Sequence, residues 1–348
     1  MKKSSEYIAE SVFNVNAHYT ELQNKTKMLY FKCLQENKSS EYFREEVYKI
    51  WGNVDHDFMD KQVDKLEKMV NDNNVKMAIN TGRLSGEYKP SGAWEIDDEY
   101  FKLVPESQFN QMEKKFANQV SKSYDRSKKT MEKVDKETYL QKKIRTYDDE
   151  VDQVVAYFNN AGEVVRHTQL STYLSMIHNT NLTRAGWNQT MRDSEMLDRE
   201  LFIIPFHPFS CLDCFYYQNR ILTKSEVEHL IGVEAEEQEG DLLHPNCKCS
   251  LEIFWDNSQI KENKYTTDEV EDMYHTRQQV NSLTLKKSKI ITDMKIQKSL
   301  GNEEQYDKLN QKRNAINSQI RDLKGDLPTA SLQKQVGAIN RWWLMLSL

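Results

Sequence analysis

Apolar residues in this chain recur mostly three and four positions apart, the spacing of a helix with one buried face. Within residues 1–80, Phe43, Val47 and Ile50 follow a capping serine at Ser40, and Val63, Leu66 and Val70 form a second stripe. Phe109, Met112, Phe116 and Val120 open a helical block expected to run from about Ser107 to Phe158. Asn159–Gly162 reads as a turn, and Leu170, Leu174 and Ile177 then resume helical spacing to about Met196. After that the texture changes. Leu201–Ile204 and Cys249–Trp255 are short β-like runs, with a helix at about Lys224–Ile231 between them. Further on, Thr267 is placed to cap a helix carrying Val270, Met273, Val280, Ile290 and Met294. Gly301-Asn302 breaks it, and Tyr306, Leu309, Ile316, Ile320 and Leu323 predict the second arm of an antiparallel helical hairpin. Stripes of this kind are packing seams, and no chemistry is attached to them.

Punctuation supports the helical reading. The 348 residues include eleven glycines and six prolines, and no proline lies between Pro105 and Pro205. Sandwiches, barrels and propellers need a turn every 8–12 residues or so, which this chain cannot supply. The expected organisation is an N-terminal helical region at 1–80, a linker or arm at 81–105, a helical domain at 106–200 and a small α+β module at 201–260. A helical hairpin at 261–327 and a C-terminal tail at 328–348 with an apolar end complete it. No internal repeat of 20–50 residues is seen.

Charge changes the picture locally. The formal net charge is −6 and the mean hydropathy −0.81, so nucleic-acid contact would need a patch and not a field over the whole protein. Such a patch exists: from Lys114 to Arg145 there are eleven Lys/Arg against four Asp/Glu. It reads either as a solvated helix face or as a phosphate- or portal-facing surface, with Lys122, Arg126, Lys128, Lys129 and Lys133 as the contacting residues. From Glu226 to Asp241, by contrast, there are seven acidic residues and no Lys or Arg. The lean apolar content suggests elongated helices, or surfaces that a partner covers. The opening MKKSSEYIAESVFNVN has no apolar run behind its lysines and does not read as a signal peptide. No apolar run approaches the roughly 20 residues of a membrane span, so the chain is expected in the cytoplasm.

Five cysteines are too few for a disulfide scaffold, and their placement is uneven. Cys33 stands alone on an apolar helix face. The others form Cys211-x-x-Cys214 and His244-Pro-Asn-Cys247-Lys-Cys249. A Cys-x-x-Cys knuckle closed by a second cluster from a distant strand is the pattern of a tetrahedral Zn²⁺ site, and four soft ligands with no open position make such a site structural. The candidate ligands are Cys211, Cys214, His244, Cys247 and Cys249; the first choice is Cys211, Cys214 and Cys249 with either His244 or Cys247. Buried thiols beside a surface histidine are the alternative. The expected fold class is therefore mainly α, with a small α+β zinc-binding module in an elongated multi-helix architecture.

These residues also carry a resemblance. Tyr157-Phe-Asn-Asn-Ala-Gly162, then Ser171-Thr-Tyr-Leu-Ser-Met-Ile-His-Asn-Thr-Asn-Leu182, the strand Leu201–Ile204, Cys211-Leu-Asp-Cys214-Phe-Tyr-Tyr-Gln-Asn219 and His244-Pro-Asn-Cys-Lys-Cys249 follow one another. In order and spacing this resembles the minor capsid, or head-morphogenesis, proteins of tailed bacteriophages, over about residues 150–325. Two departures stand out. The family's Arg-Thr pair is Asn179-Thr180 here, preceded by His178, and its Trp-x-Gly is replaced by Tyr217-Gln218-Asn219. Members alternate Cys and His at the position of Cys249, which favours that residue as a ligand.

The resemblance implies a non-catalytic protein of the phage head interior, present in the virion and in the host cytoplasm during assembly. Its implied partners are the portal or major capsid protein and, through packaging or ejection, double-stranded phage DNA. Two other readings compete. A metal-dependent nuclease would draw on His207, His244 and the knuckle, but no Asp/His-His pair on a hairpin beside an Asn/His helix can be assembled. A zinc-containing DNA-binding protein would need basic fingertips, and the insert between the ligand pairs is acidic. Finally, Trp342 and Trp343 in the tail read either as an anchor for a partner's pocket or as residues folded back on the hairpin.

Overall fold

The computed structural model describes residues 4–52, 54, 56–84, 103–158, 164–207, 210, 212–230, 249–260 and 265–328. The fold is mainly helical. It divides into two compact units: residues 1–13, 56–104 and 176–275 form one, and residues 14–55, 105–175 and 276–348 the other. The helices α1 (Ser4–Gln35), α6 (Leu170–Met196) and α9 (Thr267–Ser299) each contribute residues to both.

The second unit is a helical bundle with an aromatic centre. Besides its share of α1, it contains α2 (Ser40–Trp51), α4 (Glu106–Met131), α5 (Lys136–Tyr147) and α10 (Glu303–Gly325). The cap of α2 is Ser39, one residue before the expected Ser40; its hydroxyl accepts from the backbone N–H of Tyr42. The buried stripe of α2 is Phe43, Val47 and Trp51. Tyr30 of α1 meets Phe43, Tyr124 and Tyr147 edge to face, and Phe43 stacks on Tyr124 with centroids 4.1 Å apart. Offset and edge-on geometries of this kind add to the stabilisation from area burial. Cys33 is buried, as expected of a small apolar residue, and burial pushes its thiol up to about 11.

The block expected as helix to Phe158 is four separate elements. Asp135 caps a fresh helix by accepting from the N–H of Thr138 at 2.8 Å, so α4 and α5 are separate. A π-turn follows at Asp148–Asp152, and then an antiparallel hairpin of β1 (Gln153–Phe158) and β2 (Val164–Gln169) in which Ala156 pairs with His167 and Tyr157 with Arg166. Val154, Val155, Val164, Val165 and Thr168 are β-branched, and that local preference prevails over continued helix.

The first unit sets a small sheet against helices. Its strands β3 (Leu201–Ile203), β4 (Ile221–Thr223) and β5 (Glu252–Ile253) lie antiparallel in the order β4-β3-β5, with α7 (Leu212–Phe215) and α8 (Lys224–Leu230) in the connections. The two β-like runs and the helix between them were legible; β4 was not. The core of this module includes Phe202, Leu222, Val227, Leu251 and Ile253 together with Ala78 of α3 (Asp57–Asn80) and Trp187 and Met191 of α6. The module's own apolar residues are too few to close a core, and the helices supply the rest.

Two buried polar side chains in this unit are bonded by neutral groups. The Asn181 carboxamide accepts from the Val104 N–H at 2.8 Å and donates to its carbonyl at 3.0 Å. Asp193 accepts from Asn71, Asn74 and Gln189, each at 2.7 Å, while burial raises its carboxyl above the ordinary value. For α9, the capping threonine is Thr266 and not Thr267: its N–H donates to Glu269 and its hydroxyl accepts from the Glu269 N–H. Gly301, at φ 72°, ends α9 and Asn302 caps α10, as the Gly-Asn break suggested.

Candidate metal centre and basic helix face

Of the five candidate zinc ligands, Cys214 and Cys249 lie among the described residues; Cys211, His244 and Cys247 lie outside them. Cys214 sits in the single turn α7, and Cys249 shortly precedes β5. Both are buried, at 1% and 3% exposure, and both belong to the core that holds the small sheet against α6. Fixed, water-excluded thiols suit a structural role, because a catalytic metal keeps an open position.

The backbone around them is tied from several sides. The indole N–H of Trp187 donates to the Cys249 carbonyl at 3.0 Å, and two residues on, the Thr190 hydroxyl donates to the Leu251 carbonyl at 3.0 Å. These two bonds from one face of α6 fix the register of the strand that brings in Cys249. On the knuckle side, the Tyr217 N–H donates to the Cys214 carbonyl at 3.2 Å. Gln218 bridges onward: its carbonyl oxygen accepts from the His207 N–H at 3.0 Å, and its amide nitrogen lies 3.9 Å from the Cys249 sulfur. Neither Gln218 nor Trp187 was singled out from the sequence; polar residues without a ligand motif leave no spacing signal.

Asn219 closes the turn with φ 59°, and its N–H donates to the Ile204 carbonyl at 2.9 Å. That left-handed backbone is one glycine and asparagine adopt most readily. His207 enters the site through its backbone. His178, at the departure from the Arg-Thr pair, is buried on α6, its Nε2 2.8 Å from the Gln62 carbonyl oxygen, and burial holds its imidazole down at about 3.

The basic stretch is less uniform than its composition. Lys128 donates to the Lys38 carbonyl at 2.6 Å, alongside the Tyr124 hydroxyl at 3.0 Å, and Lys136 donates to the Gln35 carbonyl at 2.6 Å. Both thus serve the carboxyl end of α1 and its exit. Lys143 is buried and paired with Glu150. Lys128, one of the expected phosphate contacts, is half-buried and already donates to a backbone carbonyl. Lys122, Arg126, Lys129 and Lys133 are exposed. Lys122 and Arg126 join Lys114 and Lys115 along an open groove of about 670 Å³ on α4. The tail tryptophans Trp342 and Trp343 and the acidic segment 234–241 lie outside the described residues.

Among the described residues no cluster of three or more His, Cys, Asp or Glu is placed to hold a metal, and no helix is long and apolar enough to cross a membrane. No family model, no curated protein and no solved structure matches the chain.

Proposed function

We propose that this chain is a non-catalytic structural protein of a tailed-phage head, acting near the portal in the head interior, with a zinc-fixed module as a rigid joint. The observation that carries the reading is the backbone at Asn219. The phage head proteins that the motif order resembles have glycine there, and the residue that replaces it has φ 59°, a conformation glycine adopts freely. A glycine would fit this turn, which supports the resemblance without a contact of its own.

The donor chemistry fits a structural metal. Cys214 and Cys249 come from separate segments into one core, and the amide of Gln218 lies against the Cys249 sulfur. Cys211, Cys214 and Cys249, with His244 or Cys247, would hold Zn²⁺, which would tie the knuckle to the sheet. The purified full chain is expected to contain about one equivalent of zinc and to lose thermal stability in chelator. Less than about half an equivalent, with no change in chelator, would remove zinc from the proposal.

DNA contact would fall on the outer face of α4. Reversing Lys122, Arg126 and Lys129 is expected to reduce the salt slope of DNA retardation by roughly one for each phosphate no longer neutralised, while retardation insensitive to these changes would exclude the face. Nicking of supercoiled DNA in Mg²⁺ or Mn²⁺ would favour the nuclease reading instead. The head assignment is tested by co-expression with the portal and coat proteins of the same phage. Recovery in sedimenting procapsids is expected, and recovery wholly outside them would overturn it. Removing residues 341–348 in the same assay tests the tryptophan anchor.

A further inference from the structure

The carboxyl-terminal helices are basic in a chain whose net charge is −6. From Arg277 to Lys324, within α9 and α10, there are eleven Lys/Arg against five Asp/Glu. Several of these cations are matched. Lys289 lies 3.7 Å from Asp148, Lys308 is paired with Glu304, and Arg321 lies 3.8 Å from Asp322.

Three others are not. Lys287 of α9 and Arg313 and Lys324 of α10 are half-buried, and none has an ion-pair partner among the described residues. The Arg313 Nε is shielded from water and donates to nothing among the described residues, while its Nη2 donates to the Asn314 carboxamide oxygen at 3.3 Å. The three also act on one another. Burial, and then the Arg313 guanidinium, push the Lys287 ammonium below its ordinary value; burial, and then Lys287, do the same to Lys324. Lys287 is thus within electrostatic reach of both. Arg313 and Lys324 are eleven residues apart on one helix, close to three whole turns, so they share a side of α10 at about 16 Å along its axis.

Half-buried like charges are costly, and a carboxylate beside them ordinarily offsets that cost. Here the offset has to come from a ligand. A single small anion cannot meet cations about 16 Å apart. A nucleic-acid backbone can, since each strand places a phosphate about every 3.4 Å of axis. Its charges are held at fixed spacing, whereas the side chains of an acidic peptide would have to be ordered one by one. We propose that this side of α9 and α10 is a second phosphate-contact surface for nucleic acid, built from residues other than those of α4, with Lys287, Arg313 and Lys324 each neutralising one backbone phosphate. It rests on the reading of this chain as one that meets DNA.

Retardation of a short DNA duplex by the full chain, followed against salt, tests the surface. Lys287→Gln, Arg313→Gln and Lys324→Gln together should lower the salt slope by about 2–3, roughly 0.9 for each phosphate no longer neutralised. A slope lowered by reversing Lys122, Arg126 and Lys129 but untouched by these three changes would overturn this surface and leave the α4 reading standing. The opposite result would keep this surface and exclude the face of α4. No retardation by the wild-type chain would remove both. Displacement of the duplex by poly-glutamate at equal charge would overturn the phosphate assignment in favour of an acidic protein. A melting experiment without DNA guards against a structural role. Lys287→Met keeps the apolar stem and removes a repelling charge, so it should melt no lower than wild type. A lower melting temperature would mean that Lys287 is held by a partner within the fold, and would overturn the proposal.

Discussion

Lys27 and His178 are both buried bases, one in each unit, and their surroundings give them opposite charge states. Lys27 lies between two carboxylates at 2.7 Å, and these raise its affinity for its proton against the opposing effect of burial. His178 faces a carboxamide at 2.8 Å, and burial alone holds it neutral. The bundle pairs Lys143 with Glu150 and directs the Tyr19 hydroxyl at Glu113, 2.7 Å away. The sheet unit surrounds even its buried Asp193 with amides. Charged partners bind strongly but leave a costly remnant when one is lost, whereas neutral amides hold direction with less at stake. The segments leading to Cys214 and Cys249 are held in register by such neutral bonds.

The largest expected effect tests the aromatic seam. Phe43→Ala, at a fully buried ring stacked on Tyr124, should destabilise the bundle by about 3–5 kcal/mol in denaturant unfolding. A loss below about 1 kcal/mol would mean that this seam does not hold the bundle.

His178 comes next, through pH. Its folded value of about 3 lies below its ordinary 6.5, so the unfolded chain takes up the proton first. Its contribution is complete above pH 6.5 and declines as pH falls from there towards 3, with a slope of up to about 1.4 kcal/mol per pH unit. His178→Gln should flatten that slope in the sheet unit; an unchanged profile would mean that His178 is not the group responsible.

Trp187→Phe removes the N–H that reaches the Cys249 carbonyl and trims a fully buried ring. It should cost about 1–3 kcal/mol and reduce amide protection around Cys249 first. Loss spread evenly over both units would break the link between this bond and the cysteine strand.

The smallest effect belongs to Asn219. Asn219→Gly should shift the melting of the unit hardly at all, whereas Asn219→Val should cost about 1–2 kcal/mol because a β-branched residue resists φ 59°. Equal effects would mean that the turn does not depend on its backbone hand.

Much of the fold was legible. The stripes of α2, α3, α4, α6, α9 and α10, and the breaks at Gly301 and Met196, follow from period and punctuation alone. The caps were displaced by one, at Ser39 for Ser40 and Thr266 for Thr267, because adjacent hydroxyl residues are equally able to cap until the backbone selects one. The strand β1 reads in the sequence as the end of a helix and β2 gives no signal, since a short run of β-branched residues has no period of its own until a second strand pairs with it.

The candidate metal centre divides in the same way. Cysteine and histidine spacing marks it without any coordinates, because ligand chemistry restricts which residues can serve. Trp187, Gln218 and Thr190 were not legible, since each acts on a backbone group that any sequence possesses.

The sequence by itself determined that this chain is mainly helical and where a small β module interrupts it, and it singled out the cysteines and histidine there as zinc candidates. Only the tertiary structure decided which charges of the basic stretch remain outside. Lys122 and Arg126 are exposed along α4, while Lys128 and Lys136 serve backbone carbonyls near the end of α1 and Lys143 is paired inside. The physical reason is that charge is carried by composition, but its availability depends on which carbonyls and carboxylates folding brings within about 3 Å of each ammonium group.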